Sequence, residues 1–473
     1  MNWRKLRSSV HGAICAPGVL PERGRRIQVS KRKLQSGGLT RREMLKSTGL
    51  VLGGLAIPGV LESCLTSTTS TPSGTIKIGY VSPLTGPAAG FGEPDPYVIG
   101  LAQKAFKDGL SIGGTNYSVE IVSRDGQSTP SVGSQRANDL ISGQKVDLML
   151  ATSTPETVNP VSDACEAAGV PCISTVVPWE AWYLGRGAKP GQPSPFKYTF
   201  HYCFGVEQFF LAYTHLWPQV STNKKVGVMY PNDADGNAIR GALAPLLKGA
   251  GYTIVDPGPY EDGTNDYTAQ IQKFIGEDCQ IFNTFPIPPD FATFWQQAKS
   301  QGYTKHVKIG QIAKTGLFPS QVSSLGAIGN GLASGVYWAP TWPYKSSLTG
   351  VTSKQLGDGY ESATGKQWNQ QLGASLSLFD VAAAVLKASG NPKDKSKIVS
   401  AMSTLTVETP IGNLDWSKPA KFAGVTIPNV VSTPIIGGQW KQGVSKWPVD
   451  FVICENSADP NVPIASTLQP YSG

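Results

Sequence analysis

The chain has 473 residues, 16% of them charged, with a formal net charge of +8 and a pI near 9.0. The excess is local: residues 1–63 hold 12 Lys and Arg against Glu22, Glu43 and Glu62, leaving 29 basic and 30 acidic residues in 64–473. A nucleic-acid-binding face needs basic charge on the folded part, which has no excess, and about 400 residues call for two lobes rather than one core.

The N-terminal segment reads as a leader. Thr40-Arg41-Arg42-Glu43-Met44-Leu45-Lys46 precedes an apolar run from Gly49 to Leu61, followed by Leu61-Glu62-Ser63-Cys64. The run is shorter than the roughly 20 residues a membrane-spanning helix needs, and Pro58 interrupts it. Paired arginines before a modest apolar stretch resemble a twin-arginine (Tat) export signal. The four residues ending at Cys64 resemble a lipobox, in which the cysteine is lipidated and becomes the mature N-terminus; Glu62 departs from the small residues usual there. Residues 1–63 are therefore expected to be a removable signal, with the part before Thr40 an extended basic region outside the fold. Residues 64–74, rich in Ser and Thr and containing Pro72, read as a polar tether. The expected location is the periplasm or the outer face of the cytoplasmic membrane, touching the membrane only through a lipid on Cys64. No later segment is expected to span a membrane.

Beyond the tether, strand and helix patterns alternate. Thr75 to Val81 reads as a strand, about Pro96 to Lys107 as a helix, and Tyr117 to Ser123 as a strand. Ser131 to Ser142 (helix), Val146 to Ala151 (strand), Asn159 to Ala168 (helix) and Val170 to Thr175 (strand) follow. The alternation restarts with Lys225 to Tyr230, Ala238 to Ala250, Thr253 to Val255, Tyr267 to Ile275, Gln280 to Thr284 and Phe291 to Gln301. Such alternation predicts an α/β fold of two Rossmann-like, doubly wound lobes with parallel sheets covered on both faces. Ligands of such sheets sit beyond the carboxyl ends of the strands. That singles out the loops after Val81, Ala151, Thr175, Tyr230 and Thr284.

Those loops carry a resemblance. Lys77 to Pro87 (KIGYVSPLTGP) with Phe91-Gly92, then Val146 to Ala151 with the Thr152 to Thr157 cluster, Gly169 to Thr175, Thr409 to Trp416 and Gly437 to Trp440 run in order along most of the chain. Together they resemble type I periplasmic binding proteins of the leucine/isoleucine/valine-binding family. The resemblance implies two lobes joined by three hinge strands, closing on a small solute that is delivered to the permease subunits of an ABC importer. It places lobe I at 75–199 plus 339–426 and lobe II at 200–338 plus 427–473, and implies no cofactor.

Several residues follow as candidate ligand contacts. Thr152, Ser153 and Thr154 offer hydroxyls beside a helix start whose free N–H groups attract a carboxylate, although plain helix capping would use the same residues. Phe91 occupies the family's position for a ring against the ligand. Thr175 ends a strand, and Trp179 and Trp182 follow it as a ligand wall, a closure surface or core packing. Asp235, before Gly236, matches a family contact position, and Tyr202 and Trp338 lie near the expected crossings between lobes. Where the family's amino-acid binders place an acid, the chain reads Gln311-Ile312-Ala313-Lys314. Lys314 would favour an anion if it faces inward, so a carboxylate-bearing aromatic or short organic acid is as well suited as a branched-chain amino acid.

Competing classes leave weaker traces. Gly109-Leu110-Ser111-Ile112-Gly113 has the letters of G-x-S-x-G, but that motif needs a strand-to-helix turn, and here it reads as a loop before a strand. The four histidines, His11, His201, His215 and His306, show no metal-ligand spacing. Neither a catalytic set nor a metal site is expected, so a secreted hydrolase ranks below a binding protein; a ligand-sensing receptor subunit would use the same cleft. Cys165, late in a helix, and Cys172, in the next strand, are spaced so that a disulfide is possible in an oxidising compartment.

Overall fold

The computed structural model describes residues 72–473; Arg41, Arg42 and Cys64 lie outside the described residues. In chain order, the first part runs β1 (Thr75–Ser82), α1 (Asp95–Ala105), β2 (Leu110–Ile112), β3 (Thr115–Asp125), α2 (Pro130–Asn138), β4 (Leu148–Thr152), α3 (Pro155–Ala168), β5 (Cys172–Thr175), α4 (Trp179–Tyr183) and β6 (Thr199–Tyr202). Next come α5 (Val206–Leu216), β7 (Lys225–Met229), α6 (Ala234–Gly249), β8 (Thr253–Val255), α7 (Thr268–Gly276), β9 (Ile281–Thr284), α8 (Pro288–Ser300), β10 (Ile309–Ile312), α9 (Pro319–Ser324) and β11 (Ala333–Val336). The rest comprises α10 (Ser353–Thr364), α11 (Gln371–Ala388), α12 (Lys395–Met402), β12 (Thr406–Thr409), β13 (Gly412–Asp415), β14 (Lys421–Phe422), β15 (Val425–Thr426), β16 (Val430–Val431), β17 (Ile436–Lys441) and β18 (Asp450–Glu455).

Two seven-stranded sheets result, in the orders β16-β6-β5-β4-β1-β3-β2 and β18-β17-β11-β10-β9-β7-β8. The first is parallel apart from the β2–β3 pair, and the second is parallel from β8 to β11 and antiparallel at β17 and β18. Central strands are buried on both faces: β4 (LMLAT), β5 (CIST) and β9 (IFNT) have no exposed residue. That is the reason their sequences run apolar or small without alternation.

The expected boundary at 199/200 cuts β6 and that at 426/427 precedes β16, yet Val430 and Val431 of β16 pair with His201 and Tyr202 of β6 in the first sheet. The backbone hydrogen bonds of β6 must end before the chain can leave for the second sheet.

Two expectations need correction. The Gly109–Gly113 segment is a strand rather than a loop: β2 folds back on β3 through Gly113 (φ 57°) and Gly114 (φ 82°), the left-handed pair that a two-residue hairpin turn requires. And one later helix, α11, is long and apolar enough by composition to cross a membrane, with mean hydropathy 1.2; it is 83% buried inside the protein. It is a core helix, buried on nearly every side because α1, α12 and first-sheet strands pack against it.

Candidate functional site

The carboxyl ends of both sheets converge on one cleft, a narrow cavity of about 40 Å³ that opens to solvent at its mouth. Phe91 reaches it after β1, Thr154 after β4, Val176 and Pro178 after β5, and Phe204 after β6. From the second sheet come Asp235 after β7, Phe285 after β9, Ala313, Lys314 and Leu317 after β10, and Tyr337 after β11, with Phe209, Gly335 and Ile435 completing the wall.

The backbone at the first-sheet side is strained. Ser153 (φ 73°), Thr154 (φ 66°) and Val176 (φ 61°) all occupy positive φ without being glycine. For the β-branched Thr154 and Val176 this conformation is rare, and each such residue costs about 1–3 kcal/mol. The strain lets the chain leave β4 and β5 sharply enough to open the space between them and start α3 at once, with Pro155 in its first turn. Thr154 stands at the cap position but makes no cap bond, so its Oγ1 is buried without a partner.

Aromatic rings form most of the wall. Phe204 stacks on Tyr337 at 5.4 Å between centroids, meets Phe209 at 5.1 Å, and Phe209 in turn meets Phe285 at 5.0 Å. Phe91 sets its edge on Phe318 at 4.8 Å. The hydroxyl of Tyr337 has no hydrogen-bond partner although the residue is only 4% exposed.

One pole of the cleft is charged. Asp233 caps α6 by accepting from the Gly236 N–H at 2.6 Å, and its other oxygen lies 3.1 Å from Lys314 Nζ. Asp235 approaches the same ammonium at 3.0 Å, leaving its Oδ1 without a partner. Burial pushes the Asp235 carboxyl up to about 6, with Lys314 pulling against that rise. Burial would lower the Lys314 ammonium, but Asp235, Asp233 and Glu156 outweigh it and hold the group charged. The lysine does face the cleft, but two carboxylates already hold it. The expectation that it would favour an anion does not follow from this arrangement.

Of the sequence candidates, Phe91, Thr154 and Asp235 line the cleft and the rest do not. Thr152 is buried with its Oγ1 2.9 Å from the Ser153 Oγ, so this pair of hydroxyls satisfies itself behind the wall. Thr175 donates to the Tyr202 carbonyl at 2.7 Å, tying β5 to β6. Tyr202 donates its hydroxyl to the Ala374 carbonyl at 3.3 Å and sets its ring against Trp416, because β6 turns it towards α11. Trp338 is one residue out of register with the cleft: Tyr337 faces the space, while Trp338 donates to Ser353 Oγ at 3.1 Å and packs against Trp368 and Gly373. Trp179 is core, since α4 begins there and turns the indole towards Phe422 and Gly205. Gly205 has to be glycine, as a Cβ there would overlap the Trp179 indole. Trp182 stacks on His201 at 4.9 Å and donates to Ser162 Oγ.

Cys165 and Cys172 are both buried thiols, not a disulfide. They pack side by side in the dry core between α3 and β5, where burial pushes the Cys165 thiol well up and keeps it protonated. His201 is likewise structural: burial pulls it down to about 3, and its ring bonds to Ser174 Oγ and the Val177 carbonyl at 2.8 Å each. Among the described residues no group of three or more His, Cys, Asp or Glu side chains is arranged to hold a metal.

Phe204, Phe209, Lys314 and Tyr337 carry much of the wall. The first two lie on the crossing after β6 and on α5, a stretch to which the sequence pattern assigns no element. Val176, Pro178 and Phe285 sit in loops that the carboxyl-end rule already singles out.

Residues 75–427 match the sequence pattern described as Periplasmic binding protein. The chain is 26% identical over 238 residues to Leu/Ile/Val-binding protein homolog 8 of Brucella abortus, a stretch covering 49% of this chain and 56% of that one. In structure it resembles the leucine binding protein LivK of Thermotoga maritima (TM-score 0.64, 18% identity, covering 82% of this chain and 99% of that one). It also resembles a solute binding protein of an ABC transporter from Rhodopseudomonas palustris BisB5, solved with 3,4-dihydroxy benzoic acid (TM-score 0.64, 17% identity, covering 80% and 96%). At these identities the two structures share the fold.

Proposed function

The chain belongs to the periplasmic binding protein family, and on that premise we propose that it captures a small organic solute between two lobes outside the cytoplasm and hands it to an ABC importer. One observation carries this reading: nine loops and strand ends, from both sheets, meet at a single apolar cleft that also holds unpartnered polar atoms. Two structural neighbours, one a leucine binding protein and the other solved with 3,4-dihydroxy benzoic acid, support an amino acid or an aromatic acid as the starting classes for a screen.

In this reading, lobe I is built on the first sheet and lobe II on the second, and the divisions 75–199 plus 339–426 and 200–338 plus 427–473 shift by a few residues to keep β6 and β16 in lobe I, the chain crossing after β6, after β11 and between β16 and β17. Phe91, Thr154 and Asp235 contact the solute together with Phe204, Lys314 and Tyr337. Export runs through the Tat route on Arg41 and Arg42, and a lipid on Cys64 holds the mature chain at the membrane beside its permease. The family is one of solute binders, and binding without turnover belongs to the proposal.

A thermal-shift screen of amino acids, aromatic acids, dicarboxylates, amines, amides and sugars tests the reading. Ligand at a hundredfold excess over Kd raises stability by about 2.7 kcal/mol. The expected outcome is one solute class that raises the melting temperature, is recovered chemically unchanged, and compacts the particle in small-angle scattering. Conversion of the solute at catalytic rates would move the protein to another class.

A further inference from the structure

We propose that the cleft selects a solute presenting a hydrogen-bond donor, an amine or an amide, to the Asp235–Lys314 pole, with an apolar or aromatic body behind it. The inference rests on the cleft being the solute site. It narrows that reading, because an organic acid whose only polar group is a carboxylate is then excluded.

Charge at the pole decides. Lys314 is the one basic residue on the cleft wall among the described residues, and it already faces Asp233 at 3.1 Å and Asp235 at 3.0 Å. The three groups together carry a net negative charge. Glu156, Asp262 and Asp290 add to the same field, since Glu156 acts on Lys314 and Asp235, and Asp262 and Asp290 both feel Asp233 and Lys314. The first turn of α3 holds Glu156, so the positive end of that helix dipole already has an anion beside it.

Acceptor capacity points the same way, and independently. Asp235 Oδ1 is buried on the cleft wall with nothing donating to it. An ammonium or amide N–H would satisfy that oxygen, whereas a carboxylate would bring a second acceptor against it. The hydroxyls of Thr154 and Tyr337 are unpartnered as well, and either can accept or donate. An α-amino acid can offer its ammonium to this pole; a simple acid has no donor to give. Phe91, Val176, Phe204, Phe209, Phe285 and Leu317 leave the remainder of the solute apolar surroundings.

Calorimetry on the whole chain with two matched probe sets tests the inference: 3-phenylpropylamine, 3-phenylpropanamide and 3-phenylpropanoate, and isopentylamine, isovaleramide and isovalerate. In at least one skeleton the amine or amide should bind, with the acid roughly a hundredfold weaker or undetected. An acid that binds within tenfold of its amine and amide overturns the inference. Asp235→Asn should weaken the amine at least about tenfold and the amide less than about threefold; equal losses for both would also overturn it. The thermal-shift screen separates the two levels. A best ligand with a carboxylate as its only polar group sinks this inference and leaves solute binding standing, whereas a chain that binds no solute of either panel sinks both.

Discussion

Two loops leave the carboxyl ends of strands in opposite sheets and meet different fates. After β5 the chain places Val176 and Pro178 on the cleft and then spends its large rings on the fold: Trp179 lies against Phe422, and Trp182 is stacked on His201 with its N–H bonded to Ser162. After β7 the chain brings Asp235 to the cleft with one oxygen unpartnered. Position beyond a strand gives access to the ligand space, but the way the next helix starts decides which side chains use it. In this pair of loops Trp182 satisfies its N–H inside the fold, whereas Asp235 keeps an acceptor open at the cleft.

The largest effect that can break this contrast comes from the first loop. Trp182→Ala should cost about 3–5 kcal/mol of stability, as deletion of a buried tryptophan does, while solute affinity of the folded fraction changes less than about threefold. Urea denaturation and calorimetry read the two separately. A variant of wild-type stability with weakened binding would reverse the assignment.

Glu180, next to Trp179, is a second test. Its Oε1 accepts from the Val206 N–H at 2.8 Å, fastening α4 to the first turn of α5, and burial pushes its carboxyl up to about 8 from an ordinary value of 4.5. A folded-state value above the unfolded one means the stabilising contribution is full below pH 4.5 and is lost as the pH rises through 8. Glu180→Gln should therefore gain on wild type across that window, by a few kcal/mol at most. Paired unfolding curves from pH 4 to pH 9 measure it, and a stability difference that stays flat with pH would show Glu180 to be ionised in the folded protein.

In the cleft the expected losses are smaller and fall on binding. Phe204→Ala should weaken the solute by about 1–3 kcal/mol, the value of a buried aromatic contact. Tyr337→Phe should leave stability unchanged or slightly higher, because it removes a buried hydroxyl without a partner. Its effect on affinity should be about 0.5–1.5 kcal/mol where the solute bonds to that hydroxyl. Titration of both variants against one solute ranks the ring above the hydroxyl, and the opposite ranking would place the solute's polar group at Tyr337.

The sheets were legible because doubly buried strands need runs such as Leu148 to Ala151, and the family resemblance extended that reading along most of the chain. The site was less legible, for reasons visible at particular residues. α3, α6 and α8 begin at Pro155, Ala234 and Pro288, several residues before the amphipathic patterns at Asn159, Ala238 and Phe291. Proline in the first turn and the Asp233 cap set those starts, and first turns carry too few core-facing residues to show a period. Thr154 at the cap of α3 and Asp235 in the first turn of α6 reach the cleft from two of those starts. Trp338 shows the other limit, since a one-residue step between Tyr337 and Trp338 reverses which ring faces the solute, and composition cannot choose between adjacent aromatics. Hydroxyl clusters are equally ambiguous: of Thr152, Ser153 and Thr154, only the third reaches the cleft.

A crystal structure of the chain with the solute that the screen returns tests the central claim most directly. Density for the solute is expected between the Phe204–Tyr337 rings and the Asp235–Lys314 pair, with a donor of the solute within hydrogen-bond distance of Asp235 Oδ1. Solute bound instead in the separate groove lined by Pro319, Ser323, Lys366 and Trp447, with the first cleft unchanged, would contradict it.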